Sequence, residues 1–157
     1  GRLDFAFALA STPLPSGAAS FEIAHDQLAL VMRRHHPLAK ERWTLKDYAR
    51  VDHVAVNLTD DGISDLDALL SRANITRRVA LTTPHFMAAL AAVASSDAVT
   101  TISRRFAEQF QNTFKIDVRD PPFKQIEMTT TLVTSSIQAR DPALLWMVEC
   151  VRKVAGA

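Results

Sequence analysis

The chain has 157 residues, 48% of them apolar and 22% charged, and its 18 basic and 17 acidic side chains leave a formal net charge of +1. Such a composition belongs to a soluble globular protein, either one domain or two small lobes sharing a core. With only 4 glycines it excludes glycine-built phosphate loops, and it lacks the basic excess by which a self-sufficient nucleic-acid binder neutralises phosphates.

Leu3 to Leu9 alternates around Phe5 and Phe7 and is predicted as a buried strand, closed by the Pro- and Ser-rich stretch Ser11 to Gly17. Asp26 to Met32 is a second apolar run of strand length. The basic run Arg33-Arg34-His35-His36 follows it and, with Lys40 and Arg42, reads as a solvated edge rather than a nucleic-acid surface. Thr44 is predicted to cap a short helix through Ala49, with Asp47 placed to complete a capping box. His53 to Val56 is a strand. Ser64 caps a helix to about Ala73, with Asp65 and Asp67 in its positively charged first turn, and Asn74 suits the left-handed position beyond it.

Val79 to Leu81 is the next strand, after which Thr83 is placed as an N-cap and Pro84 as the first helical residue. That helix runs to about Ala94 and stops near Ser95-Ser96-Asp97. Ala98 to Ile102 is a strand, Ser103 caps a helix to about Asn112, and Phe114 to Val118 is a strand again. Beyond Asp120-Pro121-Pro122 lies a β-rich run, Gln125 to Val133. Asp141-Pro142 opens a last helix carrying Leu144, Leu145, Val148 and Val151 at helical spacing. The alternation of helix and strand from about 44 to 119 predicts an α/β fold with a largely parallel sheet. Ligands of such sheets bind where strands end and helices begin.

The chemistry-bearing residues point to binding rather than catalysis. His25, His35, His36, His53 and His85 form no metal-ligand spacing, and one cysteine, Cys150, supports neither a zinc ribbon nor an internal disulfide. A lone thiol suits a reducing, cytoplasmic compartment. No nucleophile elbow and no Walker or dinucleotide glycine pattern occurs, so no enzyme, metal or cofactor is expected. No apolar run approaches the roughly 20 residues of a bilayer span, and no membrane partner is expected. The start at Gly1, apparently inside a strand, predicts a piece of a longer protein.

The sharpest local site is Thr82-Thr83-Pro84-His85-Phe86, where a strand runs into a helix start that favours a carboxylate. His85 would add a titratable donor and Phe86 an aromatic wall. On the residues alone, Thr83 as a cap and Phe86 as core is the simpler reading. Asn57 and Thr59 follow another strand and offer neutral hydrogen bonds, whereas Asp60 and Asp61 read as solvated turn residues. Thr129, Thr130 and Thr131 lie on one strand whose face could line a cleft.

The order of several short motifs resembles the LysR-type regulators: Gly1-x-Leu3-Asp4-x-Ala6, His36-Pro37-Leu38-Ala39, Tyr48 with His53-Val54, and Asp67-x-x-Leu70 before Arg77 to Leu81. Pro84-x-Phe86, Ala94-x-Ser96-Asp97 and Asp141-Pro142-Ala143-x-x-Trp146 complete the series. Thr134 and Ser135 stand where family members often carry Trp-His. The resemblance implies a type-2 periplasmic-binding-protein-like fold of two α/β lobes joined by two crossing strands, near 26–34 and 124–133. Lobe I would be 1–34 with 124–157, and lobe II 35–123. It also implies that a winged helix-turn-helix, a linker helix and the first strand and helix of lobe I would precede Gly1, leaving lobe I incomplete. The implied function is sensing of a small organic-acid or aromatic effector between the lobes, with self-assembly into a homodimer or homotetramer and DNA contact only through the missing head. In that setting the loop Thr82 to Phe86, with Asn57, Thr59, Thr129 and Thr131, would face the effector. A periplasmic solute-binding protein for transport is the alternative that shares the fold.

Overall fold

A computed structural model describes residues 3–39, 42–57, 65–72 and 74–155. The chain divides into two compact units, one of Gly1–Gln27 with Ile126–Ala157 and the other of Leu28–Gln125.

In the first unit, β1 (Ala6–Leu9), the amino-terminal half of β2 (Ala18–Arg33) and β7 (Glu127–Ser135) form an antiparallel sheet with β7 in the middle. Ile23 of β2 and Leu132 of β7 are buried against Val148 of α5 (Pro142–Ala155), with Leu144 and Val151 packed beside them. Leu145, expected on the same apolar stripe, is 42% exposed. It lies next in sequence to Leu144, about 100° around the helix, so the two cannot share one face. A 3-10 turn at Gln138–Arg140 precedes α5. The expectation of a buried first strand fails: Phe7 is 55% and Leu3 74% exposed. Among the described residues β1 pairs with β7 alone, which makes it an edge strand, and alternation does not distinguish an edge from a covered position.

The second unit receives the carboxyl half of β2. Leu28 to Met32 are all buried because β5 (Thr100–Ser103) pairs along Leu28–Val31 and β6 (Ile116–Arg119) along Leu30–Arg33. This placement explains the unbroken apolar run there, where the first half of β2 alternates. The strands of the alternating segment, β5 and β6 included, run in one direction as expected of a largely parallel sheet, but β2 enters between β5 and β6 antiparallel to both. Among the described residues, direct parallel pairing joins β3 (Asp52–Val56) to β4 (Arg78–Thr83), with a bridge from His53 to Val99. Helix–strand alternation fixed the neighbours along the chain but not the direction of a strand contributed from outside the alternating segment. Val31, Val54, Ile102 and Ile116 of the strands meet Ala89, Leu90 and Val93 of α3 (Phe86–Ala94) and Ala107 of α4 (Arg104–Phe114) in one core.

Local chemistry decides several boundaries. α1 (Leu45–Arg50) begins with a complete capping box: Asp47 N–H donates to Thr44 Oγ1 at 3.2 Å and Thr44 N–H donates to the Asp47 carboxylate at 2.9 Å. The Thr44 hydroxyl, which donates to the same carboxylate at 2.5 Å, and then the Thr44 N–H hold the Asp47 carboxyl below its ordinary range, with the nearby Arg50 charge adding to them. Thr44→Ala is expected to cost about 1 kcal/mol of stability. Chemical denaturation would read the loss, and an unchanged midpoint would show the cap to be idle. Ser103 caps α4 by accepting from Phe106 N–H at 3.1 Å, and Lys115 closes that helix with φ 53°. α2 (Asp65–Arg72) leads to Asn74, which takes the left-handed conformation foreseen for it, φ 55°. The expected cap Ser64 lies outside the described residues.

Candidate functional site

The parallel pair β3–β4 ends with Val56 opposite Thr83, and Asn57 N–H donates to the Thr83 carbonyl at 3.0 Å. The carboxyl ends of two strands and the start of α3 therefore share one corner of the second unit. Asn57 is buried, Thr82 and His85 are exposed, and Thr83 and Phe86 are half-buried.

The start of α3 differs from the sequence expectation. Thr83 is not its N-cap and Pro84 is not its first residue: the helix begins at Phe86, with His85 extended at φ −121° and ψ 118° and making no side-chain capping bond. Pairing to Val56 and the bond from Asn57 hold Thr83 in the ladder, so its carbonyl is committed to the sheet rather than to the first turn of a helix. Helix formation is thereby delayed by two residues. The Thr83 hydroxyl still serves the turn, accepting from His85 N–H at 3.2 Å. Phe86 packs against Phe106 with ring centroids 5.3 Å apart and lies against the core, so the simpler reading of Phe86 is its observed role. No acidic residue occupies the first turn of α3, a local field suited to a carboxylate.

Thr59 lies outside the described residues, as do Asp60 and Asp61. Thr129 and Thr131 belong to the first unit. Thr131 is buried and its hydroxyl donates to the Ala8 carbonyl at 3.2 Å, while Thr129 Oγ1 lies 3.1 Å from His25 Nδ1. The structure thus brings Asn57, Thr82, Thr83, His85 and Phe86 together, and puts Thr129 and Thr131 on β7 between β1 and β2.

Two histidines of the second unit are buried, the first the histidine satisfied by a neighbour that its place in a strand suggests, the second unforeseen. His53 is fully buried, its Nε2–H donating to the Tyr48 carbonyl at 2.7 Å, and its Nδ1 has no partner among the described residues. Burial is the main force holding its pKa down to about 4. Beside it Tyr48 is fully buried, shares a 2.9 Å hydrogen bond with Thr101, and has its phenol pushed up by desolvation. The second is His36, expected on a solvated edge and in fact buried. It accepts from Leu38 N–H at 3.1 Å, donates to the Asp97 carbonyl at 3.0 Å and packs on Trp43. A positive φ at His35 turns the chain inward there, which a run of basic letters does not disclose. Among the described residues no group of three or more His, Cys, Asp or Glu could hold a metal ion, and no helix is long and apolar enough to cross a membrane.

With this geometry in view the fold is the α/β, periplasmic-binding-protein-like one of bacterial regulatory domains. The model of the LysR substrate binding domain matches residues 1–156, and the chain belongs to that family. Among relatives, it is 30% identical to the HTH-type transcriptional activator NagR of a Ralstonia species, over 94% of this chain and 48% of that protein. Among solved structures, a probable transcriptional regulator from Pseudomonas aeruginosa superposes with a TM-score of 0.86 at 27% identity, covering 98% of this chain and 50% of the other. The regulatory domain of MexT, a transcriptional activator in the same organism, gives 0.80 at 20% identity, covering 97% of this chain and 72% of its own, and supports the fold alone. The chain spans about half the length of the curated relatives it matches.

Proposed function

We propose that the chain is the effector-sensing and oligomerisation domain of a LysR-type bacterial transcription regulator, working in the cytoplasm on a small organic acid or aromatic metabolite. The observation that carries the reading is the corner where Asn57 N–H meets the Thr83 carbonyl at 3.0 Å beside the acid-free start of α3. Asn57, Thr59, Thr82, Thr83, His85 and Phe86 of the second unit are assigned to effector binding in this reading, as are Thr129 and Thr131 of the first. Lobe I corresponds to 1–34 with 124–157 and lobe II to 35–123. The effector acts by binding one lobe arrangement better than another, because equal affinity for both would shift nothing. Self-association follows from the palindromic half-sites such regulators read, and it is supported by Val79 and Leu81, which are 43% and 48% exposed on β4. DNA contact is assigned to the remainder of the longer relatives' architecture. Solute transport in the periplasm shares the fold, but the matched relatives are transcription activators.

Thermal-shift titration against a panel of organic and aromatic acids tests the site. One acid is expected to raise the melting temperature, and Thr83→Ala and His85→Ala are each expected to weaken that response by about tenfold in concentration, the equivalent of one charge-assisted hydrogen bond. Stabilisation that survives both substitutions removes these residues from the site. Chemical turnover of the stabilising acid would replace sensing with catalysis.

A further inference from the structure

The second unit also holds a cavity of about 850 Å³, whose lining includes Arg42, Arg104, Arg119 and Lys124 with Trp43 and Phe123. It shares no residue with the corner at Asn57 and Thr83. Its single acid among the described residues is Asp120, and that carboxylate is taken by Arg104, which also reaches Glu108 one turn along α4 at 3.5 Å. Among the described residues Arg42, Arg119 and Lys124 have no acidic partner, and Arg119 is half-buried at the end of β6. A guanidinium drawn partly out of water without a counter-charge is disfavoured. Arg104 and Arg105 moreover open α4, whose first turn carries no acid. Cations at the positive end of a helix oppose its dipole. Positive charge from three segments thus converges, and the two described carboxylates near it, Asp120 and Glu108, are both taken by Arg104.

The walls around that charge are held rigidly. Trp43 Nε1–H donates to the Leu38 carbonyl at 3.1 Å, and Phe123 stands edge-on to the buried Tyr48 at 5.3 Å. Pro121 and Pro122 restrict the loop that carries Arg119 and Lys124. A cationic site with its surroundings already ordered loses little freedom on binding, and guanidinium forks match the oxygens of phosphate and carboxylate groups. We propose that this cavity is a second ligand site, for a small polyanion bearing two or more phosphate or carboxylate groups. A single negative charge would leave most of the convergent charge unanswered. A concave site with aromatic walls and an acid in its rim is a poorer match to duplex DNA.

The sequence has 2 tryptophans, and the other, Trp146, lies on α5 in the first unit, 66% exposed. Trp146→Phe therefore leaves Trp43 as the fluorescence reporter of the cavity. Titration of this variant at constant ionic strength with inorganic pyrophosphate, citrate or benzoate is expected to give a saturable change with pyrophosphate or citrate, and a much weaker one with benzoate. Adding Arg119→Gln and Lys124→Gln is expected to weaken binding by about tenfold or more, whereas Arg140→Gln with Lys153→Gln, which removes equal charge from the first unit, leaves it unchanged. Amide shifts of the unsubstituted chain supply a readout that does not depend on how the variants fold: pyrophosphate or citrate should move Arg104, Phe123 and Lys124. Saturable binding that shifts these residues supports the site. Responses explained by ionic strength, shifts elsewhere, or benzoate binding as tightly as the polyanions overturns it. Shifts at the same residues with duplex DNA but with neither polyanion would make the cavity a nucleic-acid surface instead.

Discussion

Tyr48→Ala is expected to lower the stability of the chain by about 3–5 kcal/mol, the usual range for truncating a fully buried aromatic side chain. Tyr48 is wholly buried, with its ring edge-on to His53 at 4.4 Å and to Phe123 at 5.3 Å, and its hydroxyl 2.9 Å from Thr101. Alanine would leave a ring-sized void and strand the buried Thr101 hydroxyl, two costs that add. The loss is large against a typical domain stability of about 5–15 kcal/mol. It would also detach α1, since a helix of 6 residues is too short to persist without a tertiary anchor. Tyr48→Phe keeps the ring and loses only the hydroxyl, so it is expected to cost about 1 kcal/mol. Urea denaturation followed by circular dichroism separates the two. Equal losses for both variants would show that the hydrogen bond outweighs the ring.

Acidification from pH 7.5 to 4.5 is expected to remove about 2–3 kcal/mol of stability through His53 alone. The ordinary histidine pKa of 6.5 applies to the unfolded chain, and burial lowers the folded value to about 4. Above 6.5 both states are neutral at this site and its contribution to stability is at its highest. Between 6.5 and 4 the unfolded chain takes up a proton that the folded chain refuses, so stability falls as pH falls. Below about 4 both are protonated and the loss levels off. A proton on His53 Nδ1 would have no acceptor among the described residues, while Nε2–H already serves the Tyr48 carbonyl. Denaturation midpoints at pH 7.5, 5.5 and 4.5 would be compared with those of His53→Gln, which has no proton to take. The native chain should lose more than the variant across this window; parallel curves would remove His53 as the cause.

Features governed by a few adjacent residues were legible in the letters. The Thr44–Asp47 box, the Ser103 cap and left-handed Asn74 all follow from one side chain meeting a backbone group within a few positions. The ordered motifs across the chain likewise carried the family. What escaped depends on partners far away in sequence. Thr83 looked like a cap because its tie to Asn57 and Val56 is invisible locally. Phe7 looked buried because nothing in an alternating stretch says whether a sheet continues beyond it. His36 looked solvated until the turn at His35 was known. The polyanion cavity draws its cations from positions 42, 104, 119 and 124, which are too dispersed to form a motif. Of the expected effector residues, the five described ones in the second unit converge because two parallel strands end in register.

The division of the chain also sets an order of events during synthesis. The second unit is one continuous stretch, Leu28–Gln125, whereas the first needs both Gly1–Gln27 and Ile126–Ala157. On a ribosome, the second unit has all its parts before β7 and α5 have been made, and it can close while the early strands wait. β1 must hold out for partners that begin at Thr130, and Ile23 stays uncovered until Val148 arrives. The first unit is thus the late, aggregation-exposed step, and the growing chain is most in need of a chaperone just before α5 emerges.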